Sequence, residues 1–131
     1  AIDERIQETS YAWKTMLGLG IPIAVGTDSP IEDLNPFANL YSAILRRNLQ
    51  GVPTEGFHMK EALTIEEAVD AYTIGSAYAE FKEEVKGRLK PGYYADMVLL
   101  DQDIFTIRPE ELLGVNVLKT YVHGELAYER K

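Results

Sequence analysis

The sequence predicts an α/β protein, on three observations. Helix-spaced apolar residues near the start run through two glycines into a short β-branched stretch, capped helical patterns follow, and beyond Lys86 the periodicity becomes that of strands. At 131 residues, with 46% apolar and 26% charged side chains, the chain is at most one ordinary domain and is rich enough in apolar residues to bury a core.

From Asp3 to Leu17, the residues Ile2, Ile6, Trp13, Met16 and Leu17 recur at helical spacing, and Gly18 and Gly20 suit a helix end and a tight turn. Ile21 to Val25 then reads as a strand buried on both faces, so helix, turn and strand make half of a βαβ unit. Asn35-Pro36 supplies a cap and a first-turn proline for a helix whose apolar face is Phe37, Leu40, Tyr41, Ile44 and Leu45. Gly51 to His58 reads as a surface loop. Thr64 and Glu67 form a capping box ahead of Ile65, Ala68, Val69 and Tyr72, and a second short helix is expected from Ser76 to Phe81. After the Pro91-Gly92 turn, Met97-Val98-Leu99-Leu100 reads as a buried strand. Leu118 to Tyr128 reads as a hairpin about His123-Gly124, with Leu126 and Tyr128 on a buried face and Glu125, Ala127 and Glu129 on a wet one. The chain is expected to divide near Lys86, into residues 1–86 and 87–131.

Composition removes several functions. Thirteen basic against 21 acidic residues give a net charge of −8 and leave no basic cluster beyond Arg46-Arg47, which argues against nucleic acid and anionic membranes as partners. The absence of cysteine excludes disulfides, thiolate metal sites and a cysteine nucleophile, and fits a cytoplasmic protein. No apolar run approaches the ~20 residues that cross a bilayer, and no secretory signal is read at the start. With only His58 and His123, a three-histidine zinc site cannot be assembled.

Asp28 closes the first predicted strand, where α/β folds place catalytic and binding groups, although Asp-Ser-Pro is also ordinary turn chemistry. Ser29 lacks a nucleophile elbow, and Gly18, Gly20 and Gly26 do not form a dinucleotide fingerprint. His58 in a polar loop and His123 in a turn read as structural, and the pairs Glu66-Glu67 and Glu83-Glu84 as solvated helix charges.

Gly26-Thr27-Asp28-Ser29-Pro30 and the run Gly87-Arg88-Leu89-Lys90-Pro91-Gly92-Tyr93-Tyr94-Ala95-Asp96, leading into Met97 to Asp101, resemble in order and separation the C-terminal part of the amidohydrolase superfamily of metal-dependent hydrolases. The stretch Thr64 to Tyr78, Phe105-Thr106-Ile107 and Val122 to Glu125 resemble its branch that includes N-substituted formamide deformylases. The resemblance implies a C-terminal fragment of a (β/α)8 barrel, residues 1–86, followed by strands of a composite β-sandwich, residues 87–131, with Ile21 to Thr27 as the eighth barrel strand. It implies that Asp28 lies at a divalent metal, zinc being the expected ion, and takes a proton from metal-bound water as a C–N bond of an amide-like small molecule is hydrolysed. The family's His-x-His pair, its bridging residue and its two further histidines have no counterpart here, and Gly75-Ser76 stands where many relatives would carry asparagine and alanine. The chain therefore reads as part of a larger hydrolase, inactive and without a tightly bound metal by itself, and able to self-associate through bare strand edges. The competing reading is a non-catalytic α+β interaction module with only ancestral likeness to a hydrolase.

Overall fold

The computed structural model describes residues 3–7 and 9–131. Ile2, counted in the first helical pattern, lies outside the described residues. That pattern is not one helix: α1 covers Glu4–Gln7 and α2 covers Trp13–Gly18. The hydroxyls of Thr9 and Ser10 donate to the Ile6 carbonyl at 3.0 and 2.9 Å, and Tyr11 turns the chain at φ 52°. Side chains that satisfy a free carbonyl locally offer the backbone an alternative to continuing the helix.

The helix α3, Pro36–Leu45, starts as expected, with the Asn35 side chain accepting from the Phe37 amide at 3.0 Å. It buries Phe37, Leu40, Tyr41 and Ala43 and ends where Arg46 takes a left-handed conformation. A short 3-10 turn, Met59–Glu61, leads to α4, Ile65–Asp70, which is closed at its start by the reciprocal Thr64–Glu67 capping box. No break follows α4. A π-helical segment, Ala71–Gly75, joins it directly to α5, Ser76–Ala79, so the two helices expected from the sequence form one continuous rod. Phe81 lies beyond its end and is 90% exposed.

Three strands form one antiparallel sheet in the order β1 (Met97–Leu100), β2 (Val117–Val122) and β3 (Glu125–Glu129). Met97 opposes Tyr121 and Val122 opposes Glu125. His123 and Gly124, at φ 52° and 80°, make the two-residue turn, whose type I′ form requires positive φ at both positions. Two burial expectations fail here. Val98 and Leu99 of β1 are 56% and 51% exposed, and Leu126 and Tyr128 of β3 are each 49% exposed. A strand is buried on both faces only if a layer packs on each, and a hairpin has a dry face only if something covers it. Among the described residues nothing covers these.

The core brings the helical and strand parts together. Phe37, Leu40 and Ala43 of α3 pack with Leu63, Ala68, Leu112 and Val115, the last two from a 3-10 segment at Pro109–Gly114 and the residue after it. No helix among the described residues is long and apolar enough to cross a membrane.

Candidate functional site

The expected strand at Ile21 to Val25 is extended backbone without a ladder, because none of the described strands lies beside it. Its residues alternate between half-buried Ile23, Val25 and Thr27 and exposed neighbours, so one face rather than two is covered. The covered face rests on the π-helical segment. A π turn bonds i to i+5 and leaves a carbonyl free to turn outward. Here the Ala71 carbonyl accepts from the Val25 amide at 3.3 Å and from the Ser76 hydroxyl at 3.2 Å, and that hydroxyl lies 3.4 Å from the Val25 carbonyl. Gly75 permits the contact: a Cβ there would stand 2.0 Å from the Ile23 carbonyl oxygen. Gly75, one of the two residues at which the sequence departs from many relatives, is thus a point of close backbone approach.

At the upper end of this segment the Asn39 side-chain amide donates to the Gly26 carbonyl at 2.9 Å, which ties it to α3. Asp28 follows in a turn closed by the Ile31 amide donating to the Asp28 carbonyl at 2.9 Å. Its φ is 52°, a left-handed conformation that aspartate tolerates better than most residues. The residue is exposed, and its carboxylate makes no hydrogen bond or ion pair among the described residues. Asp28 thus occupies the turn that Asp-Ser-Pro suits and does not cap the next helix: Asn35 caps α3, while Asp33 accepts from the Asn35 amide at 2.9 Å.

The other candidates are spread apart and structurally engaged. His58 packs its ring on Phe57 at 5.6 Å, and His123 stacks on Tyr94 at 4.4 Å while its amide donates to Asp96 at 2.8 Å. Glu67 serves the capping box and pairs with Lys14. Lys14 foremost, with the Thr64 backbone amide, holds the Glu67 carboxyl below the ordinary carboxylate range against the opposing effect of desolvation. Among the described residues no group of three or more His, Cys, Asp or Glu side chains could hold a metal ion. A zinc site takes three or four protein ligands, so Asp28 by itself does not fit one.

Sequence reasoning missed a cluster around Arg46. Its side chain is buried, 6% exposed, with Nε donating to the Phe57 carbonyl at 2.9 Å and Nη1 to the Tyr11 carbonyl at 3.2 Å. The guanidinium lies 4.6 Å from the Trp13 ring centre and within 6 Å of those of Tyr11 and Phe57. Burial lowers the Arg46 pKa from its ordinary value, while Glu61 and Tyr11 oppose that shift. Glu61, also buried, accepts from the Thr15 amide at 2.9 Å and hydroxyl at 2.6 Å, and these bonds lower its pKa. The only sequence signal was the single Arg46-Arg47 pair after an apolar helix.

The family pattern of the amidohydrolases matches residues 1–128, and the chain belongs to that family. Over 123 residues, 94% of this chain, it is 37% identical to YtcJ of Bacillus subtilis, whose name places it among the amidohydrolases. It is 33% identical over 117 residues, 89% of the chain, to the N-substituted formamide deformylase of Arthrobacter pascens, and 30% identical over 126 residues, 94% of the chain, to an imidazolonepropionase of Kosmotoga olearia. The deformylase branch is therefore one of several that it is similar to. The chain spans 23%, 21% and 28% of these three relatives. An amidohydrolase structure from Thermotoga maritima superposes on 95% of the chain, using 26% of its own, with a TM-score of 0.67 at 20% identity, and so shares its fold.

Proposed function

We propose that these residues form the closing part of a longer hydrolase that cleaves a C–N bond in an amide-like small molecule, with Asp28 as the catalytic residue they contribute. In this reading residues 1–86 belong to the (β/α)8 barrel and residues 87–131 to the composite β-sandwich, and the protein acts in the cytoplasm. The observation that carries it is the Asp28 carboxylate, exposed and unengaged on the turn that follows an extended segment anchored by Gly75 and Asn39. Hydrolysis of an amide needs a base to take a proton from the attacking water while the C–O bond forms, and a proton donor for the amine that leaves as the C–N bond breaks. A carboxylate without an ion pair suits the first task. The divalent ion, expected to be zinc, requires ligands from outside these residues, so no step through it follows from this chain.

The test is Asp28→Asn in the full-length protein. Turnover should fall by orders of magnitude while the melting temperature stays near that of the wild type, because the substitution removes a base and no core contact. Near-normal kcat would refute the role of Asp28 and favour a non-catalytic module.

A further inference from the structure

Among the described residues, one side chain holds the chain between Val25 and Asp28. The Val25 amide donates to the Ala71 carbonyl on one side, and the Ile31 amide donates to the Asp28 carbonyl at 2.9 Å on the other. The Gly26 carbonyl between them accepts from the Asn39 side-chain amide at 2.9 Å. Gly26 has no side chain to pack, and nothing lies within 4 Å of the place a Cβ would occupy, so the hydrogen bond and not packing fixes its backbone. Thr27 alone separates it from Asp28, and two residues span at most about 7 Å. A rotation at Gly26 therefore passes into the position of the Asp28 carboxylate with little slack.

Asn39 is not explained by the helix that carries it. It is the fourth residue of α3, beyond the cap that Asn35 supplies, it is not among the residues the helix buries, and asparagine is a poorer helix former than alanine. Its carboxamide lies instead between two partners. One N–H goes to Gly26, and the other partner is the Tyr72 hydroxyl in the π-helical segment. Burial raises the Tyr72 pKa and the Asn39 hydrogen bond opposes the rise; a bond with that effect is donated to the phenol oxygen, which is the task of the second N–H. Because an amide is planar, engaging both N–H groups fixes its plane and its aim at the Gly26 carbonyl.

We propose that Asn39 is a positioning residue for the hydrolysis: held by Tyr72, it fixes the Gly26 carbonyl and so the turn from which Asp28 reaches the attacking water. The inference rests on the proposed function and deepens it, adding to the same site two residues that act through Asp28. A general base works within about 2.6–3.2 Å of the group whose proton it takes, and a displacement of about 1 Å can cost about 100-fold in rate. The loss on removing Asn39 should therefore fall on kcat and spare KM, since its bond is to the backbone that carries the base.

Asn39→Ala removes both donors while improving helix propensity, so the melting temperature should stay within a few degrees of the wild type. Asn39→Asp keeps the side-chain shape and, when ionised, lacks the donors, which guards against a folding defect in the first variant. In the full-length protein, on the substrate that reports Asp28→Asn, each should lower kcat about 10- to 100-fold with KM within about twofold. Tyr72→Phe should lower kcat about 2- to 12-fold, the range one hydrogen bond supplies, and should add nothing in the Asn39→Ala background. Hydrogen exchange at the Ile31 amide, which closes the Asp28 turn, should quicken about 2- to 12-fold in Asn39→Ala. A residue that merely supported the fold would lower the melting temperature and leave kcat per folded molecule intact. Unchanged kcat with turnover still dependent on Asp28, or a Tyr72→Phe effect of equal size in both backgrounds, overturns the inference. Turnover that persists in Asp28→Asn sinks the proposed function instead.

Discussion

Gly75→Ala is the sharpest perturbation of the arrangement that carries Asp28. The added methyl would sit 2.0 Å from the Ile23 carbonyl oxygen and 3.0 Å from its carbon, both backbone atoms that cannot swing aside. Restoring ordinary contact requires the extended segment and the π-helical segment to part by more than about 1 Å. The Val25 to Ala71 bond, already 3.3 Å long, would not survive that separation. Overpacking costs about 1–3 kcal/mol and a lost hydrogen bond about 0.5–1.5 kcal/mol, against which alanine recovers about 1 kcal/mol of helix propensity. The expected net loss is about 2 kcal/mol, which for a chain of this size lowers the melting temperature by about 8 °C. Urea unfolding followed by Trp13 fluorescence measures the loss, and hydrogen exchange at the Val25 amide shows whether the contact opens. Unchanged or increased stability with Val25 still protected would mean that the close approach at Gly75 does not hold the segment.

Three further outcomes are expected. Because the folded pKa of Glu67 lies below its unfolded value near 4.5, its contribution is fully present above that value and is lost as pH falls below it. Glu67→Gln should therefore flatten the loss of stability between neutral and acid pH, and an identical acid profile for the two proteins would remove Lys14 and Thr64 as the cause. Calorimetric titration of this chain with zinc should show weak binding, since a single free carboxylate replaces none of the other ligands a zinc site needs. Tight, stoichiometric binding lost in Asp28→Asn would mean that other side chains of this chain join Asp28 in holding the ion. The amides of Ile23, Ala24 and Thr27 make no hydrogen bond among the described residues, and such an edge is a template for another chain. Sedimentation at several concentrations should show self-association, with residues 21–28 protected in the associated form. A monodisperse monomer whose amides there exchange freely, with undiminished stability, would refute their placement as a barrel strand.

The local features of this protein were legible in its sequence because their causes are local. Asn35-Pro36 caps and opens α3, Thr64 and Glu67 close the capping box, and His123-Gly124 turns the hairpin through contacts spanning four residues or fewer. The same holds for Asp28, whose place at the end of a β-branched run was readable from the run itself. The α/β class and the family likeness followed from these short motifs in order. Periodicity could not reveal that Thr9 and Ser10 would end the first helix, or that the rod from Ile65 to Ala79 would pass through a π turn instead of breaking. It also overstated burial at Ile21 to Val25, Val98, Leu99, Leu126 and Tyr128, because an apolar strand signals the need for a covering layer and not its presence. Only the tertiary structure placed the Ile23 carbonyl against Gly75 and the Arg46 guanidinium among the rings of Tyr11, Trp13 and Phe57. Each of these brings together residues more than ten positions apart, and spacing along the chain does not carry that proximity.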